Sequence, residues 1–245
     1  MTIGAGAARI GLFGGTFNPI HLGHLRAAEE VREALGLAGI AFVPSNVPPH
    51  KRERDGDPIA PAAQRVAWVE GAIAGHEAFR VDRVELDREG PSYLVDTLEA
   101  VRARNPGGPP PVFIVGEDAF AEMGEWRAPL RLFALADFAV MTRPPGRLDD
   151  LAERIPALVR DEFAFEDHGR VARHRSAGTR IDLVAITALD VSSSQIRRAC
   201  REGRSIRWLV PEAIREAIER SRCYAAGGPR EADGAARGVG QEARR

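Results

Sequence analysis

An apolar run that ends in glycines and then enters a helix constrains this chain more than any other feature. Arg9 to Phe13 reads as a short buried strand, Gly14 and Gly15 stop it, and Leu22 to Leu37 follows as a helix. The apolar stripe of that helix is Leu22, Leu25, Ala28, Val31 and Leu35. The alternation continues down the chain. Ile40 to Val43 is a strand closed by Pro44, Ala60 to Gly75 a helix, and Phe79 to Leu86 a strand exposed on one side. Ser92 to Arg104 is a helix with Ser92 as its N-cap, and Pro111 to Val115 and Ala136 to Thr142 are strongly apolar strands. Arg147 to Arg180 is charged and weakly patterned and reads as helix plus loop. Ile181 to Ile186 is a late strand, and Ser192 to Glu202 and Pro211 to Arg222 are two closing helices. Strands that alternate with helices predict an α/β fold with a parallel sheet, right-handed crossovers and a small C-terminal helical part. One domain is expected over residues 9–224. A flexible N-terminus, residues 1–8, precedes it, and a disordered glycine-rich tail, residues 225–245, follows.

Composition narrows the class of partner. A chain of 245 residues with 44% hydrophobic residues can bury one substantial core. A formal net charge of −1 offers no global positive field, so nucleic acid is not expected as a partner. Two cysteines, Cys200 and Cys223, make no disulfide framework and have no zinc-ligand spacing, and they are expected as reduced thiols. The first residues lack the apolar run of a signal peptide, and no stretch reaches the ~20 apolar residues of a membrane span. A cytoplasmic protein is expected.

The densest chemistry lies in residues 11–24, Gly-Leu-Phe-Gly-Gly-Thr-Phe-Asn-Pro-Ile-His-Leu-Gly-His. Gly14 and Gly15 let a ligand approach the backbone closely. The helix N-terminus that follows offers N–H groups and a positive dipole end suited to phosphate. His21 and His24, three residues apart, face one spot there. A His-x-x-His pair also binds metal, but no third ligand stands near it in sequence. Gly4-Ala-Gly-Ala-Ala resembles the start of a dinucleotide fingerprint, yet it precedes the strand where it should follow it. Ser192 to Ser194 open a helix whose hydroxyls and N–H groups can hold phosphate, and Arg197 follows one turn later. Asp118 follows a strand end and a glycine, where such sheets bind ligands; a surface helix cap is the plainer reading. Trp126 reads either as a core aromatic or as a half-exposed stacking platform. Lys51 is the only lysine in a chain whose other 33 basic residues are arginine. A compact ammonium is useful where phosphate charge moves.

Residues 11–24 resemble the glycine turn and HxGH element of the T/HxGH nucleotidyltransferases, whose domain is a Rossmann-like, doubly wound parallel sheet. Later segments resemble bacterial nicotinate-nucleotide adenylyltransferases across roughly residues 9–224. Val43-Pro-Ser-Asn-Val-Pro-Pro-His-Lys51 is similar to their PPHK loop, and Gly90 to Leu98 to their PSY-x-x-DTL segment. Gly116-Glu-Asp118 with Trp126, Thr142-Arg-Pro-Pro-Gly146 and Val191-Ser-Ser-Ser-Gln-Ile-Arg197 resemble the remaining elements. The RPG turn carries one extra proline, and Val191 and Ser194 are mild departures from ISSTxIR.

The resemblance implies transfer of the adenylyl group of ATP to nicotinate mononucleotide, with Mg2+ accompanying ATP and no dedicated metal site in the protein. It places ATP on Gly14, Gly15, Thr16, His21, His24, Val191, Ser193, Ser194 and Arg197. The acceptor falls to Lys51, Leu94, Val95, Asp118, Trp126, Arg127 and Arg143. His21, His24, Lys51 and Arg197 are expected as a cationic catalytic surround. A phosphopantetheine adenylyltransferase shares the first motif but is shorter and lacks the PSY-x-x-DTL and tryptophan segments. A class I aminoacyl-tRNA synthetase fragment would need a KMSKS-like loop, which is not found, and a non-catalytic nucleotide-binding regulator would not need the full His21, His24, Lys51 and Arg197 set. Whether the protein is a monomer or a homo-oligomer is left open by the sequence.

Overall fold

The computed structural model describes residues 8–47, 59–143 and 148–226. Lys51, residues 144–147 and, but for Ala8, Ala225 and Ala226, the expected flexible N-terminus and disordered tail lie outside them.

The described chain runs β1 (Ile10–Gly15), α1 (Leu22–Ala34), β2 (Gly39–Pro44), α2 (Ala62–Ile73), β3 (Phe79–Val81), α3 (Leu94–Arg104) and β4 (Val112–Gly116). It continues through α4 (Glu117–Ala121), α5 (Pro129–Leu135), β5 (Asp137–Thr142), α6 (Leu151–Arg154), α7 (Ala157–Arg160), β6 (Phe163–Glu166) and β7 (Val171–His174). β8 (Arg180–Ala185), α8 (Ser193–Arg201) and α9 (Glu212–Ser221) complete it. The strands form one sheet in the order β3-β2-β1-β4-β5-β8-β7-β6. From β3 to β8 all pairings are parallel, whereas β7 is antiparallel to β8 and β6 to β7.

Strand alternation splits the core into two layers. Phe13, Ile40, Phe42, Val112 and Ile114 point to one face, where α1, α2, α8 and α9 cover them through Ala28, Val31, Trp68, Val69, Ile196 and Ile214. Leu12, Ala41, Val43, Phe113 and Val115 point to the other, against Leu98 of α3, Phe120 of α4 and Phe133 of α5. A sheet covered on both faces needs continuous apolar strands, and β2 is buried at all six positions. The two closing helices belong to the first layer and share its core, so they are not a separate appendage.

Three expectations are corrected. Residues 147–180 hold a β-hairpin, β6 and β7, as well as the short helices α6 and α7. Its periodicity is faint because the strands are four residues long and β6 does not alternate: Phe163 is buried while Phe165, on the same face, is exposed, and only β7 alternates, with Ala172 and His174 buried and Arg173 exposed. The strand expected over Phe79–Leu86 ends at Val81, because Arg83 and Asp82 turn the chain; Val84 N–H donates to the Asp82 carboxylate at 3.0 Å. Ser92 does not cap α3. Tyr93 occupies that position, and the Ser92 hydroxyl instead accepts a hydrogen bond from Asn46 N–H at 3.1 Å.

Candidate active site

β1 lies between β2 and β4, and the connections from β1 and β4 leave to opposite faces: α1 joins the first core layer, α4 the second. Diverging connections open a crevice at the carboxyl ends of the two strands. Two cavities of about 500 and 600 Å3 lie there.

The first is lined by His21, His24, Asp118, Arg143, Ser192 to Ser194 and Arg197. His21 is the N-cap of α1 and His24 its third residue. Their rings stack with centroids 3.6 Å apart and planes at 29°. His24 Nδ1 accepts a hydrogen bond from the His21 backbone N–H at 3.2 Å. A neutral imidazole that accepts at Nδ1 carries its proton on Nε2, so His24 is a donor on its outer edge. Gly23 is what lets the rings stack. A Cβ there would lie 3.0 Å from His21 Nδ1 and 3.1 Å from its Cε1.

His21 is only 7% exposed, and its Nδ1 is buried with no partner among the described residues. Burial, assisted by the nearby charge of Arg143, brings its pKa down to about 4. The cation expected at His21 is therefore a neutral imidazole in the ligand-free protein, because a charge cannot be solvated there. An anion arriving in the cavity would act in the opposite direction.

The far wall is the start of α8. Ser192 forms a reciprocal cap: its hydroxyl accepts from Gln195 N–H at 3.2 Å, while its own N–H donates to Gln195 Oε1 at 2.7 Å. The Ser193 hydroxyl donates to Pro19 C=O at 2.9 Å, and Arg197 Nη1 donates to Asn18 C=O at 2.8 Å. Both bonds tie α8 to the loop between β1 and α1, so the histidines and Arg197 are held as one unit across 170 residues of sequence separation or more.

The second cavity is lined by Gly14, Gly15, Thr16, Tyr93, Leu94, Trp126 and Arg127, with Glu85 and Ser45 deeper. Trp126 and Tyr93 are half-buried, and the Arg127 guanidinium lies over the Tyr93 ring, 4.8 Å from its centroid. Glu85 is 8% exposed and accepts from the Thr97 hydroxyl at 2.8 Å; burial raises its carboxyl above the usual range. Gly14 lines this second cavity, and a Cβ on it would meet the Phe113 ring at 3.0 Å.

Comparison with known proteins agrees with this architecture. A family model described as cytidylyltransferase-like matches residues 12–199. The chain is 44% identical over 219 residues to the "Probable nicotinate-nucleotide adenylyltransferase" of Trichlorobacter lovleyi, covering 88% of this chain and 99% of the relative. It is 40% identical to the protein of the same name from Pelobacter propionicus, covering 88% and 98%.

The chain belongs to the nicotinate-nucleotide adenylyltransferase family.

In fold it is similar to the nicotinic acid mononucleotide adenylyltransferase of Plasmodium falciparum, with a TM-score of 0.65 over 89% of this chain and 97% of that one at 15% identity. A second structure of that protein, titled as complexed with NaAD, aligns with the same score at 16% identity. Of the residues expected to hold the nucleotide, His21, His24, Val191, Ser193, Ser194 and Arg197 line the first cavity. Gly14, Gly15 and Thr16, expected with the nucleotide, line the second cavity, because the turn after β1 faces the Phe113 side of the sheet. Asp118 and Arg143, expected with the acceptor, line the first, because β4 and β5 end beside the histidines. Leu94, Trp126 and Arg127, expected with the acceptor, line the second, whereas Val95 is 6% exposed and packs in the core.

Sequence reasoning missed Glu85, Asn18 and Arg65. Arg65 left one legible signal, a charged residue in register with Val69 and Ile73 on the buried stripe of α2. Asn18 and Glu85 left none, since their partners come from distant segments.

Proposed function

We propose that this protein transfers the adenylyl group of ATP to nicotinate mononucleotide, releasing pyrophosphate and forming the deamido dinucleotide. The observation that carries this reading is the pair of cavities at the β1–β4 switch point. One is lined by histidines, arginines and hydroxyls, the other by aromatic rings and glycine backbone, and they adjoin at the end of β1, where Phe13 lines the first and Gly14 the second. A polyphosphate suits the first and a pyridine nucleotide the second, with Trp126 as the stacking surface. That the relatives carry this activity in their names and that a neighbour holds NaAD supports the same choice.

An oxygen of the acceptor phosphate attacks the α-phosphorus of ATP, and the bond from that phosphorus to the bridging oxygen of the leaving pyrophosphate breaks. The nucleophile is already an anion, so no general base is required. Catalysis is then alignment and stabilisation of charge on the α-phosphate and the leaving group. His24 Nε2–H is a preorganised donor, Arg197 and Arg143 supply fixed positive charge, and Lys51 is assigned to the same surround from sequence. His21 enters as a neutral donor and as the surface against which His24 stacks. Magnesium, bound with ATP, would offset phosphate charge. Among the described residues no group of three His, Cys, Asp or Glu side chains could hold a metal, so phosphate oxygens and water would be its main ligands, with Asp118 the nearby exposed carboxylate.

The test is ATP-dependent pyrophosphate release with nicotinate mononucleotide, nicotinamide mononucleotide and phosphopantetheine side by side. Turnover fastest with nicotinate mononucleotide is expected. Fastest turnover with either of the others reassigns the acceptor, and release with none of them makes the protein a nucleotide binder.

A further inference from the structure

Arg65, on the first turn and a half of α2, is 1% exposed, and among the described residues every hydrogen bond its guanidinium makes goes to a backbone carbonyl. Nε donates to Ala60 C=O at 2.9 Å, Nη1 to Thr16 C=O at 2.7 Å, and Nη2 to Ser45 C=O at 2.8 Å and Asn46 C=O at 3.3 Å. These carbonyls belong to three separate segments: the turn after β1, the end of β2 and the approach to α2. Thr16 and Ser45 are on the wall of the second cavity. Ser45–Asn46 and Ala60 are also the two flanks of residues 48–58, the stretch of sequence that carries Lys51.

Among the described residues no carboxylate pairs with Arg65, and burying a guanidinium costs several kcal/mol in desolvation, which its hydrogen bonds must offset. Packing alone would be met by a methionine at this place on the stripe, at no such cost. A planar fork that fixes several acceptors at once is what arginine adds. Asn18 extends the clamp, since its side-chain oxygen accepts from Ala60 N–H at 3.0 Å and from the Tyr224 hydroxyl at 2.5 Å, while its carbonyl holds Arg197.

We infer that Arg65 is a positioning residue for adenylyl transfer, holding the β1 turn and both flanks of residues 48–58 in one register so that the acceptor in the second cavity is aligned with the nucleotide in the first. The inference rests on the function proposed above. Arg65 lines neither cavity and reaches them only through the backbone carbonyls it holds.

The experiment compares the parent with Arg65→Lys, Arg65→Met and Val69→Ala. Val69 is on the same helix, fully buried and in the lining of neither cavity, and serves as a control for lost packing. Each protein is assayed well below its melting temperature for kcat, for the KM of nicotinate mononucleotide and for ATP affinity without acceptor. Arg65→Lys keeps the charge but not the fork. It should lower kcat by about 10- to 100-fold and raise the acceptor KM by roughly threefold or more, while ATP affinity changes by less than about threefold. Arg65→Met should be at least as impaired, and Val69→Ala should melt earlier with parent kinetics. Parent-like kinetics in folded Arg65→Lys overturn the inference, as do losses that Val69→Ala matches. Failure of both Arg65 variants to fold, with Val69→Ala folded, assigns Arg65 to stability alone and also overturns it. An inactive parent would instead refute the proposed function, so the two failures are distinguishable.

Discussion

Protonating His21 should destabilise this protein, and the size of the effect follows from its burial. The imidazole is 7% exposed at the N-cap of α1 and has a pKa of about 4, against an ordinary value of 6.5. Between those values the unfolded chain binds a proton that the native state refuses. Stability contributed by neutral His21 is therefore complete above 6.5 and lost as pH falls towards about 4. The gap corresponds to roughly 3 kcal/mol at the acid end, of which about 1 kcal/mol is gone by about pH 5.5. That is a large share of the ~5–15 kcal/mol that keeps a typical domain folded. The perturbation is His21→Gln, which keeps a polar planar side chain but does not titrate. Urea unfolding of both proteins at about pH 7.5 and about pH 5.5 isolates the residue, because groups such as Glu85 and Asp137, whose carboxyls burial raises, titrate in both and cancel. The parent should lose roughly 1 kcal/mol more than the variant over that interval. The His21 Cε1–H resonance should stay flat over the same range in the folded parent. A midpoint near 6.5 for that resonance, or parallel stability profiles, would refute the reasoning, since His21 would then be solvated in solution.

Three other outcomes are expected. His24→Ala should lower kcat on the order of 10²-fold in steady-state kinetics, with circular dichroism unchanged, because a preorganised donor to the phosphates is removed; near-normal turnover would make the histidine structural. Gly23→Ala should lower kcat by about tenfold while leaving the melting temperature nearly unchanged: the added Cβ presses on the His21 ring at 3.0 Å, and alanine's helix preference of about 1 kcal/mol over glycine offsets the strain. A folded variant with parent kcat would show that the ring stack tolerates displacement. Tyr224→Phe removes the buried hydroxyl that donates to Asn18 Oδ1 and should cost about 1–2 kcal/mol in urea unfolding, which a measured loss under about 0.5 kcal/mol would contradict.

Much of this architecture was legible before any coordinates, and for a local reason. β1, β2, β4 and β5 are buried on both faces, so each had to be a continuous apolar run, and α1 had to carry a stripe of spacing three and four; both patterns are properties of neighbouring residues. The same holds for His21, Gly23 and His24, which lie within one turn, and for the Ser192–Gln195 cap, which closes over three residues. Motif resemblance added the family because its segments stand in a fixed order along the chain. The β6–β7 hairpin escaped this reading because its strands are four residues long and the edge strand β6 exposes Phe165 on the same face as buried Phe163, which leaves no alternation to read.

Which residues share a cavity was decided only in three dimensions. Gly14 and His21 are seven residues apart, yet they line different cavities, because the turn after β1 passes over the sheet edge between them. Arg143 and Arg197 come from distant strand and helix ends and share one cavity with His21, whose charge state Arg143 and burial together set. Arg65 shows the division most plainly. Its place on the apolar stripe of α2 is written in the sequence, but its four partners are backbone carbonyls, which every residue possesses and no sequence pattern distinguishes. Side-chain type and local period determine which elements form and which motifs they carry. Burial, electrostatic field and backbone acceptors depend on elements far apart in the chain, and they exist only once the sheet has brought those elements together.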